Sequence, residues 1–367
     1  MPVTATAKLN PKTEAPPARG PGKVVLNFNL QDVPVACSGM SGPEPNGRWT
    51  DGHRAKLMLP IPGGEKPMLL LTIDARAFTE AAKLPQQRVR LSANGTAIAD
   101  LSFHENLLRR NVVAVPRALA DGGTLTLDLE LPDCAQPVAI GHTGDQRHLG
   151  IMIRRIAIEA LDEAPPPSAL IWQYGRPVGG EAAKSFDRRI ENGFWNRFIN
   201  GPHVLDVGFR GYGGSVLPIV EGAIGVDLDY PGYDGTRLPF DDGSQDAVFS
   251  SHCLEHIASY LHTIQDWYRV TKVGGHIITA VPNAALYERR RRPPSRWNDD
   301  HKRFYSPASL LAEFEAALAP NSYRVRFLEE NDSGYRYGDG PDVHPFGCYE
   351  IVLVIEKLTP PKWALEG

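Results

Sequence analysis

The stretch from His203 to Asp229, HVLDVGFRGYGGSVLPIVEGAIGVDLD, constrains this chain more than any other. It reads as an apolar strand, a glycine-rich turn, a helix-sized segment and a second strand ending in an acid. Nineteen residues separate Gly208 from Asp227, about the spacing at which a Rossmann-like unit sets an acidic side chain under a ribose. Such an arrangement binds a cofactor that contains adenosine. From His203 onward strands and helices alternate, which implies a mostly parallel, doubly wound α/β sheet. Strands are expected at HVLDVG, AIGVDL, QDAVFSS, GGHIITAVP, YRVRFLEE and CYEIVLVIEK, with Leu254, Ile257, Leu261, Ile264 and Tyr268 as one apolar helix face.

The N-terminal half follows a different grammar. Residues 23–160 carry β-branched residues in partial alternation at KVVLNFNL, KLMLPIP, KPMLLLTIDARAF, QRVRLSANGTAIADLSF, RNVVAVP, GTLTLDLEL and LGIMIRRIAIEAL. Gly, Asn, Pro and Asp separate them, as in an all-β, jelly-roll-like antiparallel sandwich. Asn94-Gly95 is a hairpin turn signal. A chain of 367 residues exceeds most single cores, so two domains are expected. A linker at 161–180, centred on LDEAPPPS, joins the β half to a second domain at 181–367. Phe186, Ile190, Phe194, Trp195 and Phe198 predict an amphipathic helix across 181–200.

Composition excludes several classes. No apolar run reaches the roughly 18 residues a membrane helix needs. Residues 1–22 lack the apolar core of a signal peptide and are expected to be a disordered tail. Four scattered cysteines, Cys37, Cys134, Cys253 and Cys348, suggest neither a disulfide framework nor a zinc site, and a reducing cytoplasm is the expected location. A net charge of −4 argues against general nucleic-acid binding, despite a basic patch from Arg289 to Arg303.

The glycine order separates the possible cofactors. A dinucleotide site wants G-x-G-x-x-G around a pyrophosphate, whereas this turn reads Gly208-Phe-Arg-Gly211-Tyr-Gly213-Gly214. S-adenosylmethionine carries no phosphate and needs only close backbone approach and acids that accept from its hydroxyls and amino groups. The ordered series LDVGFRG, GVDLD, DGTRLPFDDGSQDAVFSSHCLEHI and KVGGHIITAVPN resembles the motifs of class I S-adenosylmethionine-dependent methyltransferases, in the branch similar to quinone-biosynthesis enzymes. The likeness runs from about Pro202 to Asn283.

That resemblance implies roles position by position. Asp206, Gly208, Phe209 and Gly211 would form the loop against the methionine portion, and Asp227 with Leu228 would meet the ribose and adenosine. Asp234 and Gly235 would lie near the adenine amino group. Ser250, Ser251 and His252 would end the next strand where cofactor meets acceptor. Arg210 and Tyr212 stand where the family usually has further glycines. The ribose and adenine positions downstream are intact, which favours retained cofactor binding.

For proton transfer the candidates are His252, His256 and His301, since an imidazole suits removal of a proton from an attacking hydroxyl. His252 and His256, with Cys253 and Glu255 beside them, lack a third donor at useful spacing, so no metal is expected. Asp241 and Asp242 belong to a turn, and Asp246 opens a strand. The segment YERRRRPPSRWNDDHKRFYSP offers Tyr287, Arg291, Arg292, Arg296, Trp297 and Arg303 as acceptor-binding residues. Guanidinium forks grip carboxylates or phosphates, and aromatic rings stack on sugars. Trp49 in NGRWTDG could stack on a sugar or anchor the β core.

Together these features point to a methyltransferase that O-methylates a sugar or a precursor of a surface polysaccharide, with a β module that could contact glycan. A quinone or lipid acceptor, or a noncatalytic glycan-binding or assembly protein with a degenerate domain, are the alternatives. A nicotinamide oxidoreductase is disfavoured by the glycine order.

Overall fold

The computed structural model describes residues 22–363 apart from 30–32, 34, 81 and 165–169. Nearly all of the expected N-terminal tail, and the prolines of LDEAPPPS, lie outside the described residues. The chain divides into two compact units, Met1–Pro165 and Pro166–Gly367.

Ten strands build the first unit: β1 (Lys23–Asn27), β2 (Ala36–Ser38), β3 (Arg48–Asp51), β4 (Arg54–Pro60), β5 (Met68–Ala77), β6 (Gln87–Ala93), β7 (Thr96–Phe103), β8 (Arg109–Pro116), β9 (Thr124–Glu130) and β10 (Leu149–Leu161). Antiparallel pairing joins β1, β10, β5 and β8 in that order, with β3 also on β10, and a second sheet runs β2-β4-β9-β6-β7. Alternation decides which face is buried. Val89, Leu91 and Ala93 of β6 and Leu125, Leu127 and Leu129 of β9 meet Leu71, Ile73, Ile151, Ile156 and Ile158 of the other sheet in one apolar cluster. Asn94 (φ 44°) and Gly95 (φ 83°) make the β6–β7 turn, both in the left-handed region that a tight hairpin requires. Trp49 is buried against Phe78, Leu149 and Met152, with the Arg76 guanidinium over its ring. It anchors the core, and its ring does not form a sugar platform.

The second unit holds β11 (Trp172–Gln173), α1 (Phe186–Glu191), α2 (Phe194–Phe198), β12 (Val204–Val207), β13 (Ile224–Val226), β14 (Gln245–Ser251), α3 (Tyr260–Val270), β15 (Thr271–Pro282), α4 (Pro307–Ala317), β16 (Tyr323–Asn331) and β17 (Glu350–Lys357). One sheet runs β13-β12-β14-β15-β17-β16. The first four strands are parallel, while β17 is antiparallel to both β15 and β16. The architecture is Rossmann-like with a mixed edge.

Three expected helices differ. Residues 209–223 contain no α-helix, only a 3-10 turn at Tyr212–Gly214. Gly213 (φ 70°) and Gly214 (φ 90°) leave the helical region, and Pro218 offers no N–H. The segment 181–200 is a 3-10 turn at Gly180–Lys184 followed by α1 and α2, broken where Gly193 takes φ 78°. After β14 a 3-10 turn at Leu254–His256 precedes α3, so Leu254 and Ile257 belong to the turn and not to the helix.

Aromatic packing joins the short helices to the sheet. Trp172 and Trp195 stack at 5.3 Å, and Phe249 of β14 meets Trp195 edge-on at 5.6 Å. Beside them Arg189 Nη2 donates to Glu350 Oε1 at 2.7 Å, with both side chains buried. Removing one member of such a pair leaves an uncompensated charge. Arg189→Met should lower the stability of the C-terminal unit by about 3–5 kcal/mol, measured by urea denaturation.

Candidate active site

The C-terminal ends of the parallel strands β12, β13 and β14 assemble the site, the position at which open α/β sheets bind ligands. Gly208 leaves β12 with φ 86°, and a Cβ there would lie 2.6 Å from Cys253 Cβ. Only glycine lets the chain turn so close to β14. Gly225 of β13 is required by packing, because the Phe209 ring fills the space its Cβ would take. The same ring lies against Gly211, so Phe209 braces the loop from below.

Asp206 is buried, and its Oδ2 accepts from the Ile219 N–H at 2.8 Å. Burial pushes its carboxyl up to about 7, opposed by that N–H and by Arg176. Its carboxyl therefore pins the helix-free segment after Gly208. Asp227 follows β13 and accepts from Leu228 N–H at 2.8 Å and from Arg210 Nε at 2.9 Å. Leu228 beside it is 67% exposed, an apolar surface at the mouth of the turn. Asp234 accepts at Oδ1 from the N–H groups of Arg237 and Thr236, which hold its carboxyl below the ordinary range. Gly235 (φ 88°) completes that turn. The Ser251 hydroxyl is buried with no hydrogen-bond partner among the described residues.

Past β14 the ionisable groups crowd together. His252 sits at φ 50°, anchored by its N–H on Ala280 O. Burial pushes its imidazole down to about 4, against the pull of Glu181 and Glu350. Glu255 is buried with its Oε1 3.9 Å from His252 Nδ1, 3.8 Å from His256 Nε2 and 3.9 Å from His301 Nε2. Burial pushes Glu255 up to about 8 and lowers His256. The three candidate histidines thus converge although His301 lies far along the chain.

Comparison with known proteins bears on part of this unit. Residues 221–279 match the family described as "Methyltransferase domain". Within the C-terminal unit, this matched stretch is similar to a methyltransferase domain. Among solved structures, an S-adenosylmethionine-dependent methyltransferase from Aquifex aeolicus is 15% identical, covering 49% of this chain and 94% of its own, with a TM-score of 0.34. One from Mesorhizobium loti is 12% identical, covering 49% and 99%, with a TM-score of 0.33. One from Archaeoglobus fulgidus is 18% identical, covering 46% and 94%, with a TM-score of 0.32. No curated protein sequence matches the chain. Among the described residues no helix is long and apolar enough to cross a membrane.

The basic segment of the C-terminal unit divides into spent and available arginines. Arg303 donates to the carbonyls of Ile257 and Leu254 at 2.6 Å each and pairs with Glu313 at 3.1 Å. It clamps the turn after β14, and its fork is not free for an acceptor. Arg296 donates to Pro341 O and pairs with Asp342. Arg291 and Arg292 are exposed. Tyr287 is buried with its ring 5.5 Å from that of His301, and Trp297 Nε1 donates to Tyr287 O at 3.0 Å.

Sequence reasoning named Glu255 only as a neighbour of His252 and His256, and it did not single out Glu288 or Glu350, the other buried acids here. The available signal was a lone acid in an apolar setting, as in CLEHI and CYEIVLV. Asp206 yields a pH test. Its folded-state pKa near 7 exceeds the 3.8 of the free side chain, so the folded state binds the extra proton and stability falls as pH rises from about 4 to 7. Asp206→Asn keeps an acceptor for Ile219 and should unfold at higher temperature than the wild type at pH 8. The gap should close towards pH 4 in thermal scans.

Proposed function

We propose that this protein transfers a methyl group from S-adenosylmethionine to a hydroxyl oxygen of an anionic, sugar-bearing acceptor, such as a precursor of a surface polysaccharide. The observation that carries this reading is that Asp227 and His252 follow the C-terminal ends of β13 and β14, the two parallel neighbours of β12 and its Gly208 turn, with exposed guanidiniums further along the chain. The residues fit the cofactor. Gly208 gives close backbone approach, Leu228 gives an exposed apolar surface, and the Asp227 carboxylate has acceptor capacity beyond its two present donors. When bound, S-adenosylmethionine supplies a sulfonium methyl open to in-line attack.

The chain then positions and deprotonates the acceptor. Arg291 and Arg292 grip its carboxylate or phosphate. His252, kept neutral by burial, accepts the hydroxyl proton, and Glu350 Oε2 at 3.9 Å from its Nε2 stabilises the imidazolium that forms. The N-terminal unit, read as a jelly-roll-like module, would supply further glycan contacts. A lipid or quinone acceptor would fit an apolar entrance better than this arginine pair.

One contact favours the noncatalytic reading: Arg210 occupies the Asp227 carboxylate. Calorimetric titration with S-adenosylmethionine separates the two. The wild type should bind, Asp227→Ala should bind about 10-fold or more weaker through loss of charge-assisted hydrogen bonds, and Arg210→Gly should bind at least as tightly as the wild type. Binding only in Arg210→Gly would make the noncatalytic reading correct. With an anionic sugar acceptor, a double Arg291→Ala, Arg292→Ala variant should raise KM about 10-fold and leave kcat unchanged, in keeping with loss of uniform binding.

A further inference from the structure

Glu255 is 1% exposed, and neither of its carboxylate oxygens has a hydrogen-bond partner among the described residues. A buried carboxylate in that state is costly unless a proton or a cation meets it. Two imidazoles turn their Nε2 atoms towards it, His256 at 3.8 Å and His301 at 3.9 Å. These separations are too long for hydrogen bonds. Donors sharing one ion at about 2.1 Å lie about 3–3.5 Å apart, so the two acid–imidazole separations must close by about half an ångström and the widest separation by about 1 Å, within reach of side-chain rotation. One atom from each of the three residues lies within 4.8 Å of the others.

The outer nitrogens are held as a metal site would hold them. His301 Nδ1 meets Glu288 Oε1 at 2.5 Å, and His256 Nδ1 meets Asp300 Oδ2 at 3.2 Å. A carboxylate on Nδ1 fixes the proton there and leaves the Nε2 lone pair facing inward. Arg303 donates to the carbonyls of Leu254 and Ile257, on both sides of Glu255, and so holds the turn that presents the acid. The spacing of His252 and His256 suggested no third ligand. The chain supplies one by folding His301 against Glu255 and His256.

We propose that Glu255, His256 and His301 bind a divalent first-row transition ion. Two imidazoles and one carboxylate suit Zn²⁺, Fe²⁺ or Co²⁺ better than Mg²⁺ or Ca²⁺, which prefer all-oxygen shells. Three protein ligands leave positions open, as in catalytic sites, and half-buried His256 marks the accessible side. Glu255 lies two residues beyond Cys253, which touches Gly208 of the cofactor loop. On the methyl-transfer reading above, on which this role rests, the acceptor hydroxyl takes an open position and becomes more acidic. Its proton leaves to His252, the oxygen forms a bond to the methyl carbon, and the C–S bond breaks with its electron pair going to sulfur.

The test is Co²⁺ titration of the full-length protein after chelator treatment, read by visible ligand-field absorption. A single Co²⁺ per chain is expected. His256→Ala, at a half-buried position that spares the core, and Glu255→Gln should each abolish the signal while circular dichroism stays native. Glu288→Gln should weaken binding about 10–100-fold, and His262→Ala, on an exposed position of α3, should change nothing. No Co²⁺ binding by folded wild-type protein, or wild-type binding by both His256→Ala and Glu255→Gln, overturns the proposal. Calorimetry with S-adenosylmethionine on the same samples keeps the two readings apart: cofactor binding without Co²⁺ sinks the metal site alone, and Co²⁺ binding without cofactor sinks the methyl-transfer reading alone.

Discussion

A carboxylate taken out of water must find donors, and the way Glu350 finds them arranges the C-terminal unit. Its Oε1 accepts from Arg189 Nη2, Ser185 Oγ and Asn331 Nδ2. These come from the helices before the sheet and from edge strand β16, so one acid at the start of β17 ties three elements together. Burial pushes Glu350 up, yet Arg189, His252 and the hydrogen bonds hold it below its ordinary value. Its second oxygen faces His252. Buried ion pairs are weak evidence of net stability. What this one supplies is register, because an antiparallel β17 shifted by one residue would turn the acid away from its donors.

The cofactor loop shows the same logic on a smaller scale. In a doubly wound fold a helix after the first strand would carry the loop. Here the Asp206 carboxyl holds Ile219, and the Phe209 ring wedges against Gly211 and Gly225. The segment is fastened at two points by side chains in place of a continuous ladder of backbone hydrogen bonds. Arg210, standing where the family usually has a glycine, reaches across to Asp227. Any ligand of that carboxylate competes with a partly solvated guanidinium, and the competition is weakened by salt.

Strands were legible because their signal is local. QDAVFSS and LGIMIRRIAIEAL coincide with β14 and β10, and Asn94-Gly95 turns the hairpin as its backbone preferences require. Helices were less legible. Val216, Leu217, Ile219 and Val220 suggest a helical face, but Gly213, Gly214 and Pro218 keep that segment from coiling, and Gly193 cuts the stretch at 181–200. At the site, Gly208 and Asp227 could be read from spacing alone. His301 could be named as a candidate base, but its meeting with Glu255 and Glu288 could not be read, since it arises from burial and from contacts across many intervening residues. Arg303 shows the converse: its charge was plain, but the sequence does not say that its donors go to backbone carbonyls.

His252 carries a left-handed backbone with a full side chain, a conformation that costs an L-residue about 1–2 kcal/mol. Glycine would relieve it and would delete the ring that faces Glu255 and Glu350. Stability and the ring's contacts therefore pull this position in opposite directions: a sturdier domain favours losing the imidazole, and the imidazole's place between two buried acids favours keeping it. The strain at residue 252 is a cost the fold carries to keep that ring in place.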